Sequence, residues 1–268
     1  MRMPRVSALH IYPVKSCGGL NVECVRLEER GPEFDRRFMV VDGTGRFLTQ
    51  RQEPRLALVR PTLVPPALLL DAPGMRQIEV ALSGGGSGRV PIQVWSHSGE
   101  AEYVGDEPAG WFSELLGRGC RLVRWGEDEV RFCDPAYARF ESQVAFADGF
   151  PVLLISEASL LDLNGRMETP VPMDRFRPNI VVQDCEPYAE DNWKQIRIGN
   201  LLFDVVKASS RCVTTTVNQS TGEVGKEPLK TLATYRRRGN AVFFGQNCIH
   251  HGPGMLRVGD EVRVTEKA

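Results

Sequence analysis

Short apolar runs, bounded by glycine, proline and polar clusters, recur along most of this chain, and that pattern predicts strands far more often than helices. Val6 to Val14 and Leu20 to Leu27 are the first two runs, joined by Lys15-Ser16-Cys17-Gly18-Gly19. Phe38-Met39-Val40-Val41 and Arg46-Phe47-Leu48-Thr49 flank Asp42-Gly43-Thr44-Gly45. The glycines there supply the backbone angles that a hairpin turn requires. Leu56 to Val64, Gln77 to Leu82, Val90 to Trp95 and Cys120 to Trp125 continue the series. Gly84-Gly85-Gly86-Ser87-Gly88 falls between two strands. It predicts a hairpin tip, because a phosphate loop opens a helix.

Helical spacing appears in three places. Pro108 to Leu116 puts Trp111, Phe112 and Leu115 on one face. Ser156 caps a helix over Glu157 to Met167, and Pro228 opens a short one through Tyr235. Phe132 to Phe150 reads as a loop, and Asn218 to Gly225 as a hairpin turn. The second half otherwise predicts strands at Val152 to Ile155, Ile180 to Gln183, Gln195 to Ile198, Leu201 to Lys207, Val213 to Val217, Val242 to Phe244 and Glu261 to Thr265. Many short strands with few helices predict a mostly β protein of barrel type. The polar stretch Gly126 to Glu129 divides it into two domains, 1–128 and 129–268.

Bulk properties narrow the function classes. A net charge of −1 over 268 residues provides no basic field, so nucleic acid is not an expected partner. No apolar run approaches the roughly 18 residues of a membrane helix, and Met1 to Leu20 lacks a signal-type apolar core. These readings predict a cytoplasmic protein with no membrane partner. Seven cysteines without C-x-x-C spacing fit core thiols in a reducing compartment. The four histidines lack metal-site spacing, and His250-His251 reads as an exposed turn. Gly222-Glu223-Val224-Gly225-Lys226 has neither the glycine spacing nor the hydroxyl of a P-loop.

One cysteine stands apart. Cys212 lies in Ser209-Ser210-Arg211-Cys212-Val213-Thr214-Thr215-Thr216, read as the start of a strand, with an adjacent arginine that favours thiolate. The alternative is a core thiol. A single thiolate can be a metal's only protein ligand when an organic cofactor supplies the rest. Basic residues also collect in turns at Lys15-Ser16, Arg36-Arg37 and Arg175-Phe176-Arg177-Pro178-Asn179. Such heads suit phosphate, although solvated surface charge is the plainer reading of each alone. Arg177, set between an aromatic residue and Pro-Asn before an apolar run, predicts a head turned into a cleft.

Together these segments resemble the MOSC family, specifically its molybdenum-cofactor-dependent branch of amidoxime and N-hydroxylated-base reductases. The match is carried in order by Ile11-Tyr12-Pro13-Val14-Lys15-Ser16-Cys17, Arg51-Gln52-Glu53-Pro54-Arg55-Leu56, Ser156-Glu157-Ala158-Ser159-Leu160 and Phe176-Arg177-Pro178-Asn179-Ile180. Tyr188-Ala189-Glu190-Asp191, Ser210-Arg211-Cys212, Lys226-Glu227-Pro228-Leu229 and Phe244-Gly245-Gln246 complete it. The resemblance implies an N-terminal β-rich domain packed on a MOSC β-barrel, with molybdopterin in the cleft between them. It implies Cys212 as the catalytic thiolate and molybdenum ligand. It implies Lys15, Ser16, Arg37 and Arg177 as holders of phosphate and pterin, with Asn179, Ser210 and Arg211 beside them and Asp148 and Gly149 lining the pterin. The implied activity is reduction of hydroxylamines, amidoximes or N-hydroxylated bases. Electrons would come from separate flavin or iron–sulfur proteins, because no ferredoxin-type cysteine run follows. Phe150 and Asn247 depart from the mitochondrial pattern and would line the substrate side. A sulfur or cofactor carrier with a persulfide on Cys212 is the rival reading, and a plain binder of phosphorylated ligands is the third.

Overall fold

The computed structural model describes residues 3–267. The first strand, β1 (Arg5–Ile11), alternates buried and more open positions and turns through Lys15–Gly19 into β2 (Leu20–Val22). Next come β3 (Cys24–Glu28), β4 (Gly31–Pro32) and β5 (Phe38–Asp42). Four successive residues of β5, Phe38 to Val41, are buried, so both of its faces meet apolar layers. After it, Asp42 Oδ1 accepts from the backbone N–H groups of Thr44 and Arg46 and from the Thr44 hydroxyl, and Gly45 takes a φ of 83°. The turn forms as the sequence predicts. The run beyond it makes only an isolated pairing of Phe47 with Val41, and Arg46 pairs with Gln93 instead.

Leu56 to Leu58 belongs to a 3-10 turn (Pro54–Leu58), not to the strand expected there; β6 (Arg60–Val64) begins after it and runs beside β7 (Ala67–Asp71) and β8 (Ile78–Ala81). Pro54 favours the turn because it has no N–H for a ladder. β9 (Arg89–Val94) and β10 (His97–Tyr103) form a hairpin, followed by α1 (Asp106–Leu116) and β11 (Cys120–Arg124). A four-stranded sheet runs in the order β5-β11-β10-β9. Its core with the β6–β8 sheet includes Phe38, Leu68, Leu70, Trp111 and Phe112.

The second half contains β12 (Val152–Ser156), α2 (Glu157–Gly165), β13 (Ile180–Gln183), β14 (Trp193–Ile198) and β15 (Leu201–Arg211). It continues with α3 (Leu229–Tyr235), β16 (Arg237–Arg238), β17 (Ala241–His250), β18 (Gly254–Arg257) and β19 (Val262–Lys267). Ser156 caps α2 as predicted, its hydroxyl accepting from Ser159 N.

The large sheet has nine strands, with the path β19-β14-β15-β17-β12-β13-β1-β2 and β16 attached to β17. Its ends meet. Val6 N donates to Asp260 O at 2.9 Å and Val262 N to Pro4 O at 2.7 Å, closing the sheet into a barrel around Leu9, Leu154, Ile196 and Phe203. Closure removes the exposed edges that an open sheet would leave. β1 and β2 are thus staves of this barrel, and β3 pairs with β18. The chain position near residue 128 therefore does not sort the strands into two sets.

Two sequence expectations are corrected. Val213 to Val217 is not a strand; Val213–Thr216 forms a 3-10 turn, so Cys212 follows the end of β15 and precedes that turn instead of starting a strand. The hydroxyls of Thr215 and Thr216 accept this tighter path by donating to the carbonyls of Cys212 and Val213. His250 is not in an exposed turn; it is the buried last residue of β17, and its Nδ1 donates to Gly252 O.

Candidate cofactor site

Where the end of β15 meets the loops after β1, β5 and β11, a cavity of about 400 Å³ opens. Seven cationic side chains line it, namely Lys15, Arg36, Arg51, Arg175, Arg177, Lys207 and Arg211, against one carboxylate, Asp148. So strong an excess of one sign in a concave wall attracts and concentrates anions. Of the seven non-glycine residues with positive φ among the described residues, four line this cavity: Ser16, Arg36, Trp95 and Arg177. Each such backbone costs on the order of 1–3 kcal/mol, and strain of this kind collects where side chains must be aimed.

Tyr12 organises one wall. The guanidinium groups of Arg36 and Arg177 lie on its ring, each 4.3 Å from the centroid. Buried Asp35 holds the set. Its carboxylate accepts from Arg36 Nη1 at 2.6 and 2.8 Å, from Tyr12 N at 2.8 Å and from Asn179 Nδ2 at 3.1 Å. Asn179 is fully engaged, because its Oδ1 accepts from Arg36 and from Leu153 N and its Nδ2 also donates to His10 O. It acts as a pin between β1, β12 and the arginine pair. Arg177 Nη1 donates to Cys17 O at 2.5 Å, while its Nη2 is buried without a partner. Arg211 Nη2 donates to Phe176 O and Nη1 to Ser209, and its Nε is likewise buried and unpartnered. Burial pulls the Arg211 guanidinium down to about 10. A buried guanidinium nitrogen without an acceptor keeps its capacity to donate a charge-assisted hydrogen bond to an oxygen placed in the cavity.

The opposite wall is a relay of contacts. Buried Lys15 donates to Phe146 O at 2.7 Å and to Asp148 Oδ1 at 2.5 Å. Burial lowers the Lys15 ammonium despite the attraction of Asp148. The Asp148 side chain opens into the cavity, and although desolvation opposes it, the charge and hydrogen bond of Lys15 hold its carboxyl below the ordinary range. Trp95 Nε1 donates to the same Asp148 oxygen at 3.3 Å, and the Arg51 guanidinium lies 4.8 Å from a Trp95 ring centroid. The loop carrying Asp148 is gripped from below by buried Arg131, which donates to the carbonyls of Ala145, Ala147 and Asp148 at 2.6–3.0 Å.

Cys212 sits at the junction of the walls, half-buried. Arg51 Nε donates to its sulfur at 3.4 Å, and the Thr214 hydroxyl lies 3.4 Å away, placed to donate to a thiolate. Burial works against ionisation, but the Thr214 and Arg51 hydrogen bonds outweigh it and draw the thiol below its ordinary value. Cys17, close by in sequence to Lys15, is pushed up to about 12 by burial and does not compete.

Of the residues singled out from sequence, Lys15, Ser16, Asp148, Gly149, Arg177, Asn179, Ser210, Arg211 and Cys212 all border this cavity, as do Phe150 and Asn247. Arg37 is not among them. Its guanidinium pairs with Glu28 at 2.5 Å, and its neighbour Arg36, turned by a φ of 48°, enters the site instead. The arginine at Cys212 is also different from the one expected. Arg211, adjacent in sequence, is spent on Ser209 and Phe176, because successive side chains of an extended strand point apart. Arg51, 161 positions away, makes the contact. Its motif was visible in the sequence, but nothing local shows that the turn after Thr49 faces the end of β15.

An ionisation-prone thiol in a cation-lined cleft beside a closed barrel defines a class of protein: a mostly β, barrel-based one with an anion-attracting cleft and a cysteine disposed to the thiolate form. Residues 3–119 match the MOSC N-terminal beta barrel domain and residues 141–263 the MOSC domain. The chain belongs to the MOSC family. It is 39% identical to mitochondrial amidoxime reducing component 2 of Rattus norvegicus, over 96% of this chain and 82% of that protein. It is 37% identical to mitochondrial amidoxime-reducing component 1 of Homo sapiens, with the same coverage. A molybdenum cofactor sulfurase of Oryza sativa subsp. japonica is 34% identical over 90% of this chain and 32% of its own length. No helix among the described residues is long and apolar enough to cross a membrane.

Proposed function

We propose that this protein is a molybdenum-cofactor oxidoreductase that reduces N-hydroxylated compounds (hydroxylamines, amidoximes or N-hydroxylated bases) with electrons from separate redox proteins of flavin or iron–sulfur type. The relatives named as amidoxime reducing components support the reaction class. The observation that carries the cofactor is the donor set: one thiol drawn toward ionisation, and two buried guanidinium nitrogens without acceptors, in a cavity lined by seven cations. The seven cysteines are free thiols, which suits a reducing compartment such as the cytoplasm.

In this reading Cys212 ligates the metal through Sγ. Lys15, Ser16, Arg36, Arg177 and Arg211 hold the phosphate and pterin, and Ser210, Asp148 and Gly149 border the pterin. The cofactor, when bound, supplies two-electron chemistry at the N–O bond. The net reaction takes R–NHOH, two electrons and two protons to R–NH2 and water. The chain's own part is orientation and electrostatics. Thr214 and Arg51 keep Cys212 in the ligating form, Asp148 fixes the Lys15 head, and Asp35 with Tyr12 aims Arg36.

The test is molybdenum and released pterin per chain, with turnover of benzamidoxime by a chemical donor, on wild type and Cys212→Ala from a cofactor-competent host. Metal-loaded wild type that turns over, beside a folded variant that does not, is the expected result. Full activity in the variant refutes the assignment. The sulfurase similarity favours a second reading, in which Cys212 carries sulfur; sulfane sulfur on Cys212 by mass spectrometry, without turnover, selects it.

A further inference from the structure

Six of the seven cations that line the cavity donate to a protein acceptor. Lys207 is the exception. Its ammonium makes no hydrogen bond or ion pair to any described residue, and its head lies instead 4.0 Å from the ring centroid of Tyr137. Tyr137 stands edge-on to Phe150 at 6.0 Å and is 38% exposed, so this corner faces the mouth. Asn247 pairs with Lys207 across β15 and β17, and its Nδ2 donates to Lys207 O at 3.2 Å. Phe150, Lys207 and Asn247 all line the cavity. The corner therefore combines a flat apolar wall, an ammonium with no hydrogen-bond acceptor or anion and a carboxamide oxygen with no donor among the described residues.

Lys207 lies on β15 five positions before Cys212, which follows the strand's end, and an irregularity between Ala208 and Ser210 interrupts the ladder between them, so the two are separated by roughly 10–15 Å of backbone. A group held there is the far end of a bound molecule, not its reacting N–OH. We propose that this corner selects the substrate. Building on the reductase reading above, it favours flat aromatic N-hydroxylated compounds that carry a carboxylate at the end distal to N–OH, with Lys207 as the specificity-determining residue. The ring packs on Phe150, Tyr137 backs the Lys207 head from behind, and the ammonium gives the carboxylate a charge-assisted hydrogen bond. A neutral analogue leaves that ammonium unmatched.

The test compares benzamidoxime with its 4-carboxy derivative on the metal-loaded enzyme, in wild type, Lys207→Met and Lys207→Arg. The wild type should favour the carboxylate by about tenfold in kcat/KM, and the ratio should shrink as salt is raised, as expected for a partly exposed charge pair. Lys207→Met should bring the ratio to about one, whereas Lys207→Arg should retain it. Calorimetric binding of the unreactive 4-carboxybenzamide should weaken about tenfold in Lys207→Met, by the same charge-assisted bond. A wild-type ratio of one with benzamidoxime still reduced overturns the specificity and leaves the reductase reading intact. Equal losses for both substrates in Lys207→Met, or loss of its molybdenum and pterin, also overturn it, because Lys207 then serves the fold or the cofactor. No turnover of either substrate by loaded wild type overturns both readings.

Discussion

Removing Asp35 tests whether the arginine pair at Tyr12 is held by one buried carboxylate. Asp35 is 4% exposed, and the Arg36 guanidinium it pairs with is largely buried too. Asp35→Ala strands that guanidinium and also deprives Tyr12 N and Asn179 Nδ2 of their acceptor. Breaking a buried ion pair by deleting one partner costs about 3–5 kcal/mol. The lost backbone bond lies within that span, so we expect a loss of about 4 kcal/mol. For a chain of this size, 1 kcal/mol moves Tm by roughly 2–4 °C, which gives a fall of roughly 8–16 °C. Urea titration with linear extrapolation, alongside a thermal melt, measures it. The reasoning also fixes a second number. In an Arg36→Met background no charge is stranded at that position, so Asp35→Ala should cost at least ~1 kcal/mol less there than in wild type. A loss below about 1 kcal/mol for the single change, or strict additivity in the cycle, would refute the account.

Three further expectations follow from other parts of the site. In cofactor-free protein, iodoacetamide should alkylate Cys212 with a pH midpoint below that of free cysteine, since its thiol is drawn down; Thr214→Val and Arg51→Leu should each move the midpoint upward, and unchanged midpoints by peptide-resolved mass spectrometry would discount both contacts. Arg131→Met leaves three inward carbonyls without their donor and should cost about 3 kcal/mol while speeding amide exchange over 145–149; unaltered exchange would show that the loop holds itself. Gly245→Ala should cost about 3 kcal/mol, because its φ is 80° and a Cβ would lie 2.6 Å from Ile155 Cγ1; a denaturation midpoint equal to wild type would contradict it.

The strand-rich character of the chain, the Asp42–Gly45 turn and the Ser156 cap were legible because each rests on neighbours in sequence. β7, β10 and β18 were not, since Ala67-Leu68-Leu69-Leu70 follows two prolines and His97 to Tyr103 is largely polar, so neither shows clean alternation. The second half of β17 was missed too, because Gln246 and Asn247 interrupt its apolar run. Most of the candidate site was readable as residue types in motifs. What the motifs did not contain was direction. Arg36 and Arg37 are equivalent on paper, and a single positive φ decides which one enters the cavity. Arg51 stands in a visible motif but its role at Cys212 does not, because the fold alone brings the two together, and Arg131 acts on carbonyls that no sequence pattern marks.

The barrel's closure sets a timetable for synthesis. β1 leaves the ribosome well before its partners, for it pairs with Ile180–Gln183, and its seam with the barrel's far end needs Asp260 and Val262. Loop closure over so many residues precedes any reward from the contacts it brings. The cavity inherits that order, for Lys15 follows closely on the earliest stave while Cys212 follows a strand made some two hundred residues later. Until β13 is made, β1 has only the short β2 beside it. An apolar strand that waits for distant partners is the segment of this fold most open to wrong pairings during folding.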